Sequence, residues 1–210
     1  MYMRIARYRR APDADLEEMV RRLQSDFVPL IKRQAGFRAY WADDAGDGTG
    51  TAVSIFEDKA SLEGARRTTL PWTTEKFGRE LPDPPTVRAG QVRHHVVAPE
   101  WGEGGDGGAL PYATIREYGN MSGDPDRVAA MVREHTLPII TAAPGFRCYF
   151  TCFDEGEPRF GIGVTLFDSR EEADRASDRV IAAMREKGIE SRPPRVVSGR
   201  VRVLATTGGW

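Results

Sequence analysis

With 210 residues, 40% of them hydrophobic and 29% charged, the chain has an ordinary globular make-up and room for one or two domains. Its formal net charge of -1 leaves no electrostatic footprint for nucleic acid or for an anionic membrane surface. No apolar run approaches the ~18 residues of a membrane span, and Met1-Tyr2-Met3-Arg4 leads into a strand-like segment rather than a signal peptide, so a cytoplasmic protein without a membrane or nucleic-acid partner is expected.

Residues 2–9, with Tyr2, Ile5 and Tyr8, read as a first strand that stops at Ala11-Pro12-Asp13. Leu16, Met19, Val20, Leu23, Phe27, Leu30 and Ile31 then recur at spacings of three and four, the mark of an amphipathic helix that Asp13 or Asp15 can cap. Pro29 falls inside this pattern and removes a hydrogen bond to the residue four back, so the helix should kink or loosen near Ser25. Residues 37–42 and 51–57 read as two strands joined by the hairpin Asp43-Asp44-Ala45-Gly46-Asp47-Gly48. That acidic loop is not a calcium loop, because Ala45 stands at a ligand position and no Glu closes it. Residues 59–79 form a less regular helical stretch interrupted at Pro71, and residues 86–97 form a fourth strand after the break at Pro82 to Pro85.

The order βαββαβ then returns. Gly36-Phe37-Arg38-Ala39-Tyr40-Trp41 is answered by Gly145-Phe146-Arg147-Cys148-Tyr149-Phe150, and Phe27-Val28-Pro29-Leu30-Ile31 by Thr136-Leu137-Pro138-Ile139-Ile140. Strands are expected near 112–118, 146–153, 160–167 and 195–205, and helices near 124–142 and 169–187, the first loosened by Pro138 near Glu134 and the second stopped by Gly188. The division is a first repeat over 1–98, a glycine-rich linker over 99–110 and a second repeat over 111–210. The linker is not a phosphate loop, since no Lys-Ser/Thr pair closes it. Each repeat should be an α+β unit of the ferredoxin-like kind, a four-stranded antiparallel sheet with both helices on one face. Its strands are apolar on both faces, with Phe37, Ala39 and Trp41 on one side and Tyr40 and Ala42 on the other. The helix-free faces should therefore pack sheet to sheet, a pseudo-dimer within one chain that is itself a monomer or a homodimer.

These features, the long helix with its internal proline, the Pro-Gly-Phe-Arg start of the second strand in the second repeat and the Phe-Glu or Phe-Asp ending of the third, resemble the dimeric α/β-barrel superfamily, in particular antibiotic biosynthesis monooxygenase-like domains, in two tandem copies. The resemblance implies oxygenation of aromatic or polyketide-like molecules without metal or flavin, haem degradation, isomerisation, or no catalysis. It also implies a pocket between sheet and helices, lined in such proteins by an Asn, a Trp and a Tyr or His. Candidates here are Asn120, the chain's single asparagine, Trp72, which has no counterpart in the second repeat, and His135.

His135 falls with Val128, Met131, Val132 and Ile139 at i, i+3, i+4, i+7 and i+11, which aims its imidazole at the centre of an apolar helix face. It reads either as a general base or as a buried histidine bonded to a freed carbonyl beside Pro138. Trp72 reads either as a pocket wall or as packing beside an irregular helix. Tyr40, Tyr149, Arg38 and Arg147 are candidate ligand contacts; the two arginines read equally as surface ion-pair partners. Cys148 and Cys152, four apart on one strand, have Cα atoms about 13 Å apart, too far for a disulfide. His94 and His95 face opposite sides of their strand and cannot share a metal, so neither metal nor cofactor is expected. The leading expectation is a cofactor-independent monooxygenase-like enzyme for a small hydrophobic or aromatic molecule; the alternatives are a non-catalytic ligand-binding or structural barrel, and a haem-binding one.

Overall fold

The computed structural model describes residues 1–99, 109–119, 121, 124–188 and 193–207. The first half runs β1 (Tyr2–Arg9), α1 (Leu16–Arg22), a π-helical turn (Leu23–Phe27), α2 (Val28–Lys32), β2 (Phe37–Asp44), β3 (Thr49–Phe56), α3 (Lys59–Phe77) and β4 (Thr86–Val97). The second runs β5 (Tyr112–Tyr118), α4 (Pro125–Met131), a π-helical turn (Val132–Thr136), α5 (Leu137–Thr141), β6 (Phe146–Phe153), β7 (Gly161–Phe167), α6 (Arg170–Glu186) and β8 (Arg195–Thr206). Helix starts are set by side chains that accept from otherwise orphaned backbone N–H groups: Asp15 from Glu18, Asp58 from Ser61, Asp124 from Asp126 and Ser169 from Glu172.

The loosening expected at the two prolines takes a definite form. Ser25 and Glu134, the residues four before Pro29 and Pro138, each lie in a π-helical turn, where Val28 N–H donates to Leu23 O and Leu137 N–H to Val132 O, five residues back. Widening the turn by one residue lets the chain pass a proline that has no N–H to offer. The interruption expected at Pro71 does not occur: α3 is continuous through it, anchored on either side by buried Leu62, Ala65 and Phe77. One missing hydrogen bond is too little to break a helix held by its packed face.

The eight strands close into one antiparallel barrel in the order β1-β3-β2-β8-β5-β7-β6-β4. The helix-free faces cover one another as expected, and they do so because the two sheets also join at their edges, through the seams β2–β8 and β4–β6. The interior is packed solid by Met3, Ile5, Trp41, Val53 and Ile55 from one half and Ile115, Cys148, Phe150, Val164 and Leu166 from the other. Trp41 and Phe150 meet near its centre, with ring centroids 6.3 Å apart. One face assignment is corrected. A register shift between Phe37 and Ala39 turns Phe37 away from the interior and onto Phe56 on the helix side, as a shift at Phe146 does for Phe146 and Phe167.

Cys148 and Cys152 are free and buried, and burial pushes the Cys152 thiol up to about 12, which leaves it inert. Among the described residues no helix is long and apolar enough to cross a membrane.

Candidate functional site

The helix-facing side of the first half is laid out in cross-strand rows. One row is Arg4, Ser54 and Tyr40, from β1, β3 and β2, and the next is Ala6, Ala52 and Ala42. Ala42 and Ala52 side by side leave the floor of this layer low, and the roof formed by α1, the first π-helical turn and α3 does not sink to meet it. A cavity of about 130 Å3 remains, walled by Met19, Leu23, Phe27, Tyr40, Leu62 and Phe77. Exposed Arg66 and Leu70 stand at its rim, so it communicates with solvent.

The corresponding rows of the second half read Thr114, Thr165, Tyr149 and Arg116, Gly163, Thr151. Arg116, 1% exposed, lies along the floor where the first half has alanine, and its Nη2 donates to the Thr165 hydroxyl at 3.3 Å. Met184 of α6 presses on Thr136, whose hydroxyl reaches its sulfur at 3.5 Å, and the Met121 sulfur sits against Gly161. About 30 Å3 is left. The two halves therefore share a fold and differ in whether side chains fill the layer beneath the helices.

Among the polar groups that line the larger cavity is Arg4. Its Nε is buried with no hydrogen-bond partner, its side chain hydrogen-bonds Tyr8, and Tyr40 and Arg66 are further electrostatic neighbours. Burial lowers its pKa below the usual arginine range, with repulsion from Arg66 adding to the effect against Tyr8 and Tyr40. Three other buried or half-buried arginines have acids, Arg7 with Glu117 at 3.1 Å, Arg10 with Asp44 at 2.7 Å and Arg88 with Asp154 at 3.0 Å, whereas Arg116 has the Thr165 hydroxyl. Burial raises the Tyr40 phenol, so Tyr40 serves as a neutral hydrogen-bond donor at physiological pH.

Of the residues singled out from sequence, Tyr40 lies in the wall of the larger cavity and Tyr149 in that of the smaller. Trp72 stands one layer behind the larger cavity, its ring 5.2 Å from Phe27 and 5.4 Å from Phe77, both of which line it. His135 is displaced from its expected place. The π-helical turn adds a residue after Val132, so Thr136, 1% exposed, takes the centre of the apolar face, and His135 sits beside Glu134 with its side chain 28% exposed. Arg38 and Arg147 pair with Glu57 and Asp168 outside both cavities. His94 bonds Thr151, while His95 stacks on Phe150. Asn120 lies outside the described residues, and among those described no cluster of His, Cys, Asp or Glu could hold a metal.

Arg4, Tyr8 and Arg66 were not among the sequence candidates. The signal for Arg4 was present: in β1 the alternation puts Tyr2, Arg4, Ala6 and Tyr8 on one face, and a charge on an otherwise apolar face is the informative departure.

No protein-family model matches the chain, and no curated protein does. Solved structures do. A "putative monooxygenase" from Fusobacterium nucleatum subsp. nucleatum ATCC 25586 aligns with a TM-score of 0.79 at 9% identity, over 100% of this chain and 95% of that one. A second protein so named, from Lactobacillus acidophilus NCFM, gives 0.73 at 13%, over 99% and 96%. An anthrone oxidase-like protein gives 0.61 at 13%, over 99% and 94%. At such identities the likeness shows the fold.

Proposed function

From the premise that this chain is a dimeric α/β barrel with both ferredoxin-like halves in one polypeptide, we propose that it binds a small aromatic molecule beneath the helices of its first half and acts on it as a cofactor-independent monooxygenase does. The observation that carries the reading is the cavity itself, about 130 Å3 over Ala42 and Ala52, apolar with a few convergent polar groups, where the second half is filled. The neighbours named as monooxygenases and as anthrone oxidase-like support the type of chemistry.

In such a reaction the substrate supplies the electrons. A methylene made acidic by adjacent carbonyl or aryl groups loses a proton, the resulting enolate adds dioxygen, and loss of water leaves a carbonyl. One methylene and one dioxygen thus give one carbonyl and one water, with both methylene hydrogens ending in the water. The chain's own residues would exclude water from the ring, orient it against Phe27 and Tyr40, and hold the developing oxyanion with the Tyr40 phenol and the Arg4 guanidinium. Haem is a poorer fit, since no histidine lies in the wall of this cavity.

Oxygen uptake with anthrone as probe tests the reading. The wild-type protein should consume dioxygen at least about tenfold faster than the buffer blank, and Ala52→Leu, which fills the cavity floor, should return the rate to the blank without lowering the thermal midpoint. A wild-type rate equal to the blank sinks the catalytic reading; anthrone-induced NMR shifts confined to the cavity residues would then leave a binding protein.

A further inference from the structure

We infer that the ligand of the first-half cavity is an aromatic anion, whose carboxylate or phenolate oxygen sits on Arg4 in the row Arg4, Ser54 and Tyr40, with Arg66 at the rim. This deepens the cavity reading and rests on it.

A guanidinium set among tyrosines and aliphatic side chains loses hydration, and an opposite charge compensates that loss more fully than a neutral acceptor does. Arg4 has Nε buried and unbonded, its hydrogen-bond partner is the neutral phenol of Tyr8, and Arg66 beside it is of like sign. The other arginines in the wall are already neutralised, Arg10 by Asp44 and Arg202 by Glu17. The acid in the wall, Asp43, accepts from Thr51 N–H and lies close to Gly199, on the side of β2 that meets β8. Among the described residues, Arg4 and Arg66 thus face this largely apolar space with no ion-pair partner. A planar ring packed on the Phe27–Tyr40 pair, whose own rings touch at a centroid distance of 5.0 Å, would carry an acidic oxygen to the donors of Arg4, with the neutral Tyr40 phenol available as a second donor.

The second half supplies an internal contrast. Arg116 lies on the same face of the corresponding strand, beside Tyr149, and its own side chain occupies the floor, so that only about 30 Å3 is left. In the first half the arginine moves two positions along the strand, alanine replaces it, and the guanidinium faces open volume.

Benzoate and its neutral isostere benzamide are the probes, with binding measured calorimetrically on the full chain. Wild type should bind benzoate about 10- to 100-fold more tightly, the range for a charge-assisted contact in a partly dry site. Arg4→Met should abolish that preference while still binding benzamide, and Arg4→Lys should keep part of it. Arg4→Met should also raise the thermal midpoint of the ligand-free protein by about 2–4 °C, since it removes an uncompensated charge; a guanidinium that served only the fold would lower it on removal. Equal wild-type affinity for the two compounds overturns the anion assignment and leaves the aromatic cavity standing. A preference that survives Arg4→Met overturns the role of Arg4. Binding of neither compound overturns both readings. The wild-type comparison decides even if Arg4→Met does not fold.

Discussion

Gly90→Ala is expected to destabilise the barrel by about 3 kcal/mol, the upper end of what overpacking costs, while Gly64→Ala stabilises it by about 0.5–1 kcal/mol. Gly90 lies on β4 at the seam with β6, and a Cβ there would run into the carbonyl oxygen of Phe153. A side chain could swing aside, but this obstacle is backbone. It is held in place by Ala89 N–H donating to Asp154 at 3.0 Å and by Glu155 N–H donating to the Ala89 carbonyl at 2.8 Å. Gly199 occupies the matching place at the other seam, where a Cβ would lie 2.8 Å from the Asp44 carbonyl. Gly64, inside α3, has nothing nearer than an Arg67 nitrogen at 3.6 Å, so a methyl there only lowers the entropy of the unfolded chain. Urea midpoints for the three proteins at equal slope test the contrast; a Gly90→Ala midpoint equal to wild type would mean that the seams yield and closure does not depend on them.

The second large effect is a dependence on pH. Asp43 is 7% exposed, its Oδ1 accepts from Thr51 N–H at 3.3 Å and its Oδ2 is buried with no partner. Burial lifts the carboxyl from 3.8 to about 7, against the pull of Thr51 N–H and Arg7. Between pH ~4 and ~7 the unfolded chain has released this proton and the native chain still holds it. The native state therefore binds more protons, stability falls as pH rises through that window, and the loss levels off above it. The full effect is about 4 kcal/mol. Asp43→Asn keeps the shape and the Thr51 contact without the charge. The variant should match wild type near pH 4 and exceed it by about that amount near pH 8. Taking the difference between the two proteins cancels the opposite trend from His94 and His95, whose pKa values burial lowers. A difference that stays flat from pH 4 to 8 would show that Asp43 is charged throughout.

Asp43 also marks where reading along the chain stops short. In sequence it opens an acidic hairpin and looks solvated; in the barrel β2 runs on to Asp44, and Asp43 is enclosed by Arg7, Thr51 and Gly199 from three other strands. His135 illustrates a second limit. A period of 3.6 residues predicts the helix and its apolar face correctly up to Val132, but which carbonyl a proline leaves free, and whether the turn widens to absorb it, depends on packing. That single residue of slippage exchanges His135 for Thr136. The strands, by contrast, were plainly legible: residues 2–9, 86–97, 112–118 and 146–153 begin and end in the structure where composition and turn residues put them.

Local pattern alone was enough for the element order, the recurrence of that order in the second half, and the need to cover sheets apolar on both faces, because each is a matter of neighbours in the chain. The cavity and its charge were decided by tertiary structure. Ala42 and Ala52 become one floor, and Arg4 comes to lie in a row with Tyr40, only when register aligns segments of chain that are separate in sequence. An empty volume belongs to no single segment, so no single segment could announce it.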